Sequence, residues 1–181
     1  QVHRDVYTSQ DVYALEMQHL FANVWVFVGH ESQTPKHGDY FTTQIGSQPV
    51  IQVRHSDGKI KVLHNRCPHK GTKIAIDRHG NTGTFFRCPY HAWSFETDGR
   101  LKAVPLESGY SDTSFETTEN ANGIKPVGAV HNHRGFVFAR LADSGISFDD
   151  FFGDSLSSID NMVDRSPDCL LYTSPSPRDI S

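Results

Sequence analysis

Three cysteines in 181 residues are too few for a disulfide-stapled fold, and a chain so sparing of them is expected in a reducing compartment. No apolar run approaches the ~20 residues that span a bilayer, and the first residues lack the charged-then-apolar layout of a secretory signal. A soluble, cytoplasmic chain with no membrane partner is the expectation. Basic residues are not in excess either: 17 Lys and Arg stand against 21 Asp and Glu, a net charge of -4. Without a basic stripe, nucleic acid is not expected as a partner. What the sequence does have is 14 Gly and 12 Phe at a hydrophobic fraction of 36%, a balance that suits a turn-rich, aromatic-packed β structure. The length suits one domain, and the start at Gln1 is read as the start of a fragment.

Two short stretches carry chemistry: Cys67-Pro68-His69-Lys70-Gly71 and Cys88-Pro89-Tyr90-His91-Ala92-Trp93. Each pairs one thiol with one imidazole, and 18 residues separate His69 from Cys88. Such loops can hold a tetrahedral zinc, or a Rieske cluster, in which two His replace two Cys on one iron of a 2Fe-2S centre. Ligands two residues apart reach two metal atoms a cluster's width apart more easily than they close on one ion, whereas zinc knuckles more often begin C-x2-4-C. The spacing therefore favours Cys67 and Cys88 on one iron, with His69 and His91 on the other. Zinc, and unligated cysteines beside surface histidines, are the alternatives.

Along the chain, Thr8-Ser9-Gln10-Asp11 resembles a capping box, and Tyr13, Met17, Leu20, Phe21 and Val24 recur at helical spacing, predicting a helix over 9–22 that packs on the core. Trp25 to Val28 reads as a buried strand ended by Gly29, with Trp25 a core residue rather than a substrate aromatic. From Asp39 to Asn65 the text is a three-strand meander with turns at Gly46-Ser47 and Ser56-Asp57-Gly58. Phe85-Phe86-Arg87 delivers Cys88, Trp93 to Glu96 leaves the second loop, and Asp98-Gly99 closes a hairpin. Residues 105–124 read as an exposed excursion. A strand pair follows around Asn132, where His131 and His133 share a face; with no suitably placed carboxylate, they read as surface or interface histidines. Ser147 opens a second helix, with Asp149, Asp150 and Asp154 near its positive end.

The quoted loops, the run Cys88 to Leu101, His133-Arg134-Gly135-Phe136-Val137-Phe138-Ala139 and Asp164-Arg165-Ser166-Pro167 together resemble the N-terminal part of the large (alpha) subunit of Rieske non-heme iron aromatic-ring-hydroxylating oxygenases. The resemblance covers about residues 5–168. It implies a mainly β, Rieske-type antiparallel β-sandwich with two cluster-binding loops. Helices stand at either end, the second leading toward a catalytic domain missing here. The implied divisions are 1–38 for the N-terminal helix and lead-in strand, 39–142 for the Rieske domain, and 143–168 for the start of the connection. Residues 169–181 read as a non-native tail translated from a sequencing-library adapter, or else as a Ser/Pro-rich linker, and Cys169 is not counted as a ligand. Ala92 and Lys70 depart from the family's commoner Gly and Arg.

The resemblance also implies a function. Electrons would pass from a reductase or ferredoxin through the cluster to a mononuclear Fe(II) in the missing domain, which activates O2. It further implies a homo-oligomer of such subunits, with or without a small beta subunit, and matches His91 to the ligand that bonds a bridging Asp of a neighbouring subunit. The matching iron triad would lie downstream of residue 181, so the chain alone is expected to be inactive. A stand-alone Rieske ferredoxin is the rival reading, against which stand the N-terminal helix and the segment from His131 to Pro167. A structural zinc module is the second rival.

Overall fold

The computed structural model describes residues 2–114 and 122–165. Among them, β-branched and aromatic runs separated by turns form ten strands: β1 (Val26–His30), β2 (Asp39–Ile45), β3 (Gln48–Arg54), β4 (Ile60–His64), β5 (His79–Asn81), β6 (Phe85–Arg87), β7 (Ser94–Glu96), β8 (Leu101–Ala103), β9 (Ala129–His133) and β10 (Phe136–Arg140). They pair antiparallel into three sheets of order β1-β10-β9, β4-β3-β2-β5 and β6-β7-β8. This is a mainly β, antiparallel architecture, as the resemblance implied.

In the sheet β4-β3-β2-β5, strand β3 is buried on both faces, which is why it reads as a continuous rather than an alternating run. Val50, Ile51, Gln52 and Val53 are all fully buried. Val50 joins Val28, Ile45, Val62, Val137 and Ala139 in one core. Ile51 and Val53 face the other way, into a core with Leu63, Phe86, Trp93, Phe95, Leu101 and both loop cysteines. Each such side chain contributes about 1.5–3 kcal/mol on burial, so the loop cysteines are anchored in the larger of the two cores. Gln52, the polar member of the run, donates from Nε2 to the His30 carbonyl and to Thr34 Oγ1, both at 3.0 Å.

Several local expectations shift. The helix over 9–22 is instead a single turn, α1 (Asp5–Thr8), then α2 (Gln10–Leu15), which Ser9 caps by accepting from the Val12 N–H. A π-helical stretch, Glu16–Leu20, follows. The wider π turn rotates the apolar stripe. Tyr13 and Leu20 are therefore about half exposed, while Met17 and Phe21 close on the Gly46 turn, where a Cβ would meet both at 3.0 Å. Trp25 is buried as expected, but Gly29 does not end the strand: it follows a bulge, and β1 runs on to His30. The hairpin expected around Asn132 turns instead at Arg134 and Gly135, whose φ values of 51° and 93° fit a two-residue turn of the primed type.

The segment from Ser147 onward forms a second unit. Ser147 caps α3 (Phe148–Phe152) by accepting from the Asp150 N–H, and Asp149 and Asp150 occupy the first turn. Gly153, at φ 48°, interrupts the single helix that was expected, and α4 (Leu156–Arg165) follows a 3-10 turn. The expectations for residues 115–121 and for the tail 169–181 lie outside the described residues.

The two Cys/His loops share one backbone pattern. Cys67 N–H donates to the Thr72 carbonyl and Gly71 N–H to the Cys67 carbonyl, each at 2.8 Å; Cys88 N–H donates to the Trp93 carbonyl at 2.8 Å and Ala92 N–H to the Cys88 carbonyl at 3.0 Å. In each, the fourth residue after the cysteine has positive φ: Gly71 at 75° and Ala92 at 60°. The first loop is also closed from inside by Asn65, whose Nδ2 donates to the Ala75 carbonyl at 2.7 Å while its Oδ1 accepts from the N–H groups of Ile74 and Ala75 at 2.8 and 3.0 Å.

Two stability predictions follow from this backbone. Asn65→Ala orphans three buried backbone groups, so it should cost about 3 kcal/mol and lower the melting temperature by about 10 °C; a loss below about 1 kcal/mol in denaturant titration would contradict the role given to Asn65. Ala92→Gly should act oppositely. Relief of the left-handed strain, about 1–2 kcal/mol, outweighs the added unfolded-state freedom of glycine, about 0.5–1 kcal/mol, leaving a modest rise in stability measurable in the same titration.

Candidate metal centre

The first loop leaves the end of β4, and the second is the connection between β6 and β7, whose last pair is Arg87 with Ser94. Both deliver their cysteine inward. Cys67 and Cys88 are 2% and 3% exposed, unpaired by any disulfide, and their thiols lie within hydrogen-bond reach of each other. Burial pushes the Cys67 thiol up. The N–H groups of His69 and Lys70 donate to its sulfur and oppose that rise, while the neighbouring Cys88 adds to it. Backbone donors aimed at a sulfur favour a thiolate.

The two imidazoles stand beside each other, their ring centroids 4.7 Å apart and their planes inclined by 67°. His69 is half-buried, and its Nδ1 is enclosed without a hydrogen-bond partner. Burial, then His91, then Lys70 lower its pKa, so the ring is held neutral, the form in which an imidazole nitrogen binds a metal. His91 is exposed, with the Tyr90 ring 3.8 Å away.

A buried polar atom with no protein partner is uncommon and calls for an unseen one. Among the described residues, no three His, Cys, Asp or Glu side chains converge as a single ion would require. Two thiols side by side and two imidazoles side by side suit a two-metal centre better than a tetrahedral zinc. The residues present therefore fit the group that the spacing suggested.

Other expected features fall elsewhere. His131 and His133 lie on β9, in a different sheet, with rings 6.5 Å apart and no third ligand among the described residues. Trp25 packs edge-on to His131 and beneath the Arg140 guanidinium. Two participants went unrecognised in the sequence. Asn65 was only the end of a strand, and Tyr110 sat in a polar stretch with no assigned chemistry, yet its ring meets Trp93 edge-on at 6.4 Å.

Comparison with known proteins bears on the same residues. Toluate 1,2-dioxygenase subunit alpha of Pseudomonas putida is 37% identical over 92% of this chain and 37% of its own length. The anthranilate 1,2-dioxygenase large subunit of Acinetobacter baylyi is 37% identical over 91% of the chain and 34% of its length. The chain thus spans about a third of the length of these curated relatives. Among solved structures, naphthalene 1,2-dioxygenase from Rhodococcus sp. bound to indole superposes with a TM-score of 0.81 at 30% identity, over 89% of this chain and 36% of that one. No helix among the described residues is long and apolar enough to cross a membrane. The Rieske [2Fe-2S] domain matches residues 24–118, a span that runs through both loops and the strands that deliver them, and the chain belongs to that family.

Proposed function

We propose that Cys67 and Cys88 bind one iron and His69 and His91 the other iron of a Rieske 2Fe-2S cluster. Residues 39–142 would form the electron-transfer domain of an oxygenase large subunit, and residues 143–168 the start of its connection onward. The observation that carries the assignment is the enclosed, unpartnered Nδ1 of His69, in a loop whose cysteine is buried within reach of the other loop's thiol. When bound, the cluster supplies one-electron transfer and does not itself activate oxygen.

The chain's own residues do the rest. The N–H groups of His69 and Lys70 stabilise sulfur negative charge, the second core keeps water from both sulfurs, and exposed His91 gives the site its outward edge. A reductase or ferredoxin would meet the loop tips at Lys70 and Tyr90. Electrons would then pass to a mononuclear non-heme iron held elsewhere in the oxygenase, where O2 and an aromatic substrate react, within a homo-oligomer of such subunits that can include a small beta subunit. The dioxygenase names of the relatives support this reading over that of a stand-alone ferredoxin.

Iron-loaded protein should be red-brown and, once reduced, give the rhombic paramagnetic signal of a mixed His/Cys cluster. His69→Ala and His91→Ala should lose most of the cluster, read as iron per chain, whereas His131→Ala and His133→Ala should keep the wild-type spectrum. A colourless protein with one zinc per chain would overturn the assignment. The isolated chain should accept electrons from a reductase yet consume no oxygen when an aromatic acid or hydrocarbon is added, because no Asp-x-x-His-x4-His string is present to hold a mononuclear iron. Substrate-dependent oxygen uptake in an oxygen-electrode assay would show that the oxygen site lies within these residues.

A further inference from the structure

His69 and His91 stand in unlike surroundings. The His69 ring is stacked on the indole of Trp93, with centroids 4.7 Å apart and planes 3° from parallel. Trp93 is in turn wedged: it is 2% exposed, with the Phe95 ring at 6.4 Å and the Tyr110 ring edge-on at 6.4 Å and 82°. Offset stacking is a favoured arrangement of two flat rings. It closes one face of the imidazole and removes the broad χ2 freedom that a histidine otherwise has. The nitrogen aimed by this wall is the enclosed, unpartnered Nδ1. Among the described residues, the rings beside His91 are those of His69 and Tyr90, and Tyr90 is 63% exposed. Neither is a buried wall that fixes its plane.

We propose that Trp93 is a positioning residue for His69 alone, so that the centre has one nitrogen ligand of fixed plane and one of adaptable plane. The proposal rests on the ligand assignment above. Trp93 reaches His69 from the far side of its own loop: its carbonyl accepts from the Cys88 N–H at 2.8 Å, which ties the position of the indole to that of the second cysteine. The second loop thereby orients a ligand of the first. Tyr110, from outside both loops, backs the indole and should contribute in the same direction.

Pulsed paramagnetic resonance on the reduced, iron-loaded protein resolves the couplings of the two bound nitrogens and tests this directly. Trp93→Leu should at least double the spread of one coupling and leave the other as in wild type; Trp93→Phe, which keeps a flat wall, should restore it. Tyr110→Leu should broaden the same coupling less, and Tyr90→Leu should not broaden it at all. Both couplings unchanged in Trp93→Leu, or both altered equally, would overturn the proposal. A second readout covers the case in which Trp93→Leu does not fold. In wild-type chain before iron loading, the indole ring current should hold the His69 ring protons upfield, and Trp93→Phe, with its smaller ring current, should move them downfield while leaving those of His91 in place; His69 ring protons unmoved in Trp93→Phe would overturn the stack. Iron and sulfide analysis decides the ligand assignment separately, since a chain that binds no iron fails that reading while its ring-proton shifts still report on Trp93.

Discussion

Cys67 and Cys88 are buried to 2% and 3% within reach of each other's sulfur, and two sulfurs cannot ionise side by side in an apolar core unless positive charge lies against them. Much of the structure can be read as meeting that constraint. The same four-residue turn recurs after each cysteine, in the second loop at the cost of a left-handed alanine. The first turn aims two backbone N–H groups at one sulfur. The remaining compensation would come from the metal that both sulfurs share. The surrounding core, with Ile51, Val53, Leu63 and Phe95 fully buried, holds the sulfurs in place.

The proposed ligands stand out in the sequence because their signal is local: a thiol and an imidazole two or three residues apart, twice. The meander was legible for a related reason, since Gly46, Gly58 and Gly99 sit at positive φ and glycine tolerates that conformation where other residues are strained. Where the signal was not local, the reading failed. Asn65 acts on residues nine and ten positions away, and Tyr110 reaches Trp93 from a stretch whose polarity suggested only exposure. The π-helical stretch at Glu16–Leu20 leaves the helical spacing of apolar residues intact in sequence while turning them in space. Arg134 at φ 51° carries a turn that its neighbour Gly135 announces only one position late.

The two loops are alike in backbone and unlike in what surrounds their imidazoles. His69 lies against a buried indole and has its Nδ1 enclosed, while His91 faces outward beside an exposed tyrosine. An electron carrier benefits from such a division. A ligand locked in place keeps the reorganisation accompanying each electron small, whereas an exposed one gives a partner surface something to touch. Lys70 and Tyr90, both exposed, flank that outward edge.

The central claim is that thiols and imidazoles are segregated, one pair to each metal atom. Mössbauer spectroscopy of protein loaded with 57Fe tests it most directly. The account predicts two iron sites in equal amount with clearly different parameters, and on one-electron reduction the ferrous character localised on the nitrogen-ligated iron. Two equivalent thiolate-ligated irons, or one mononuclear iron per chain, would contradict it.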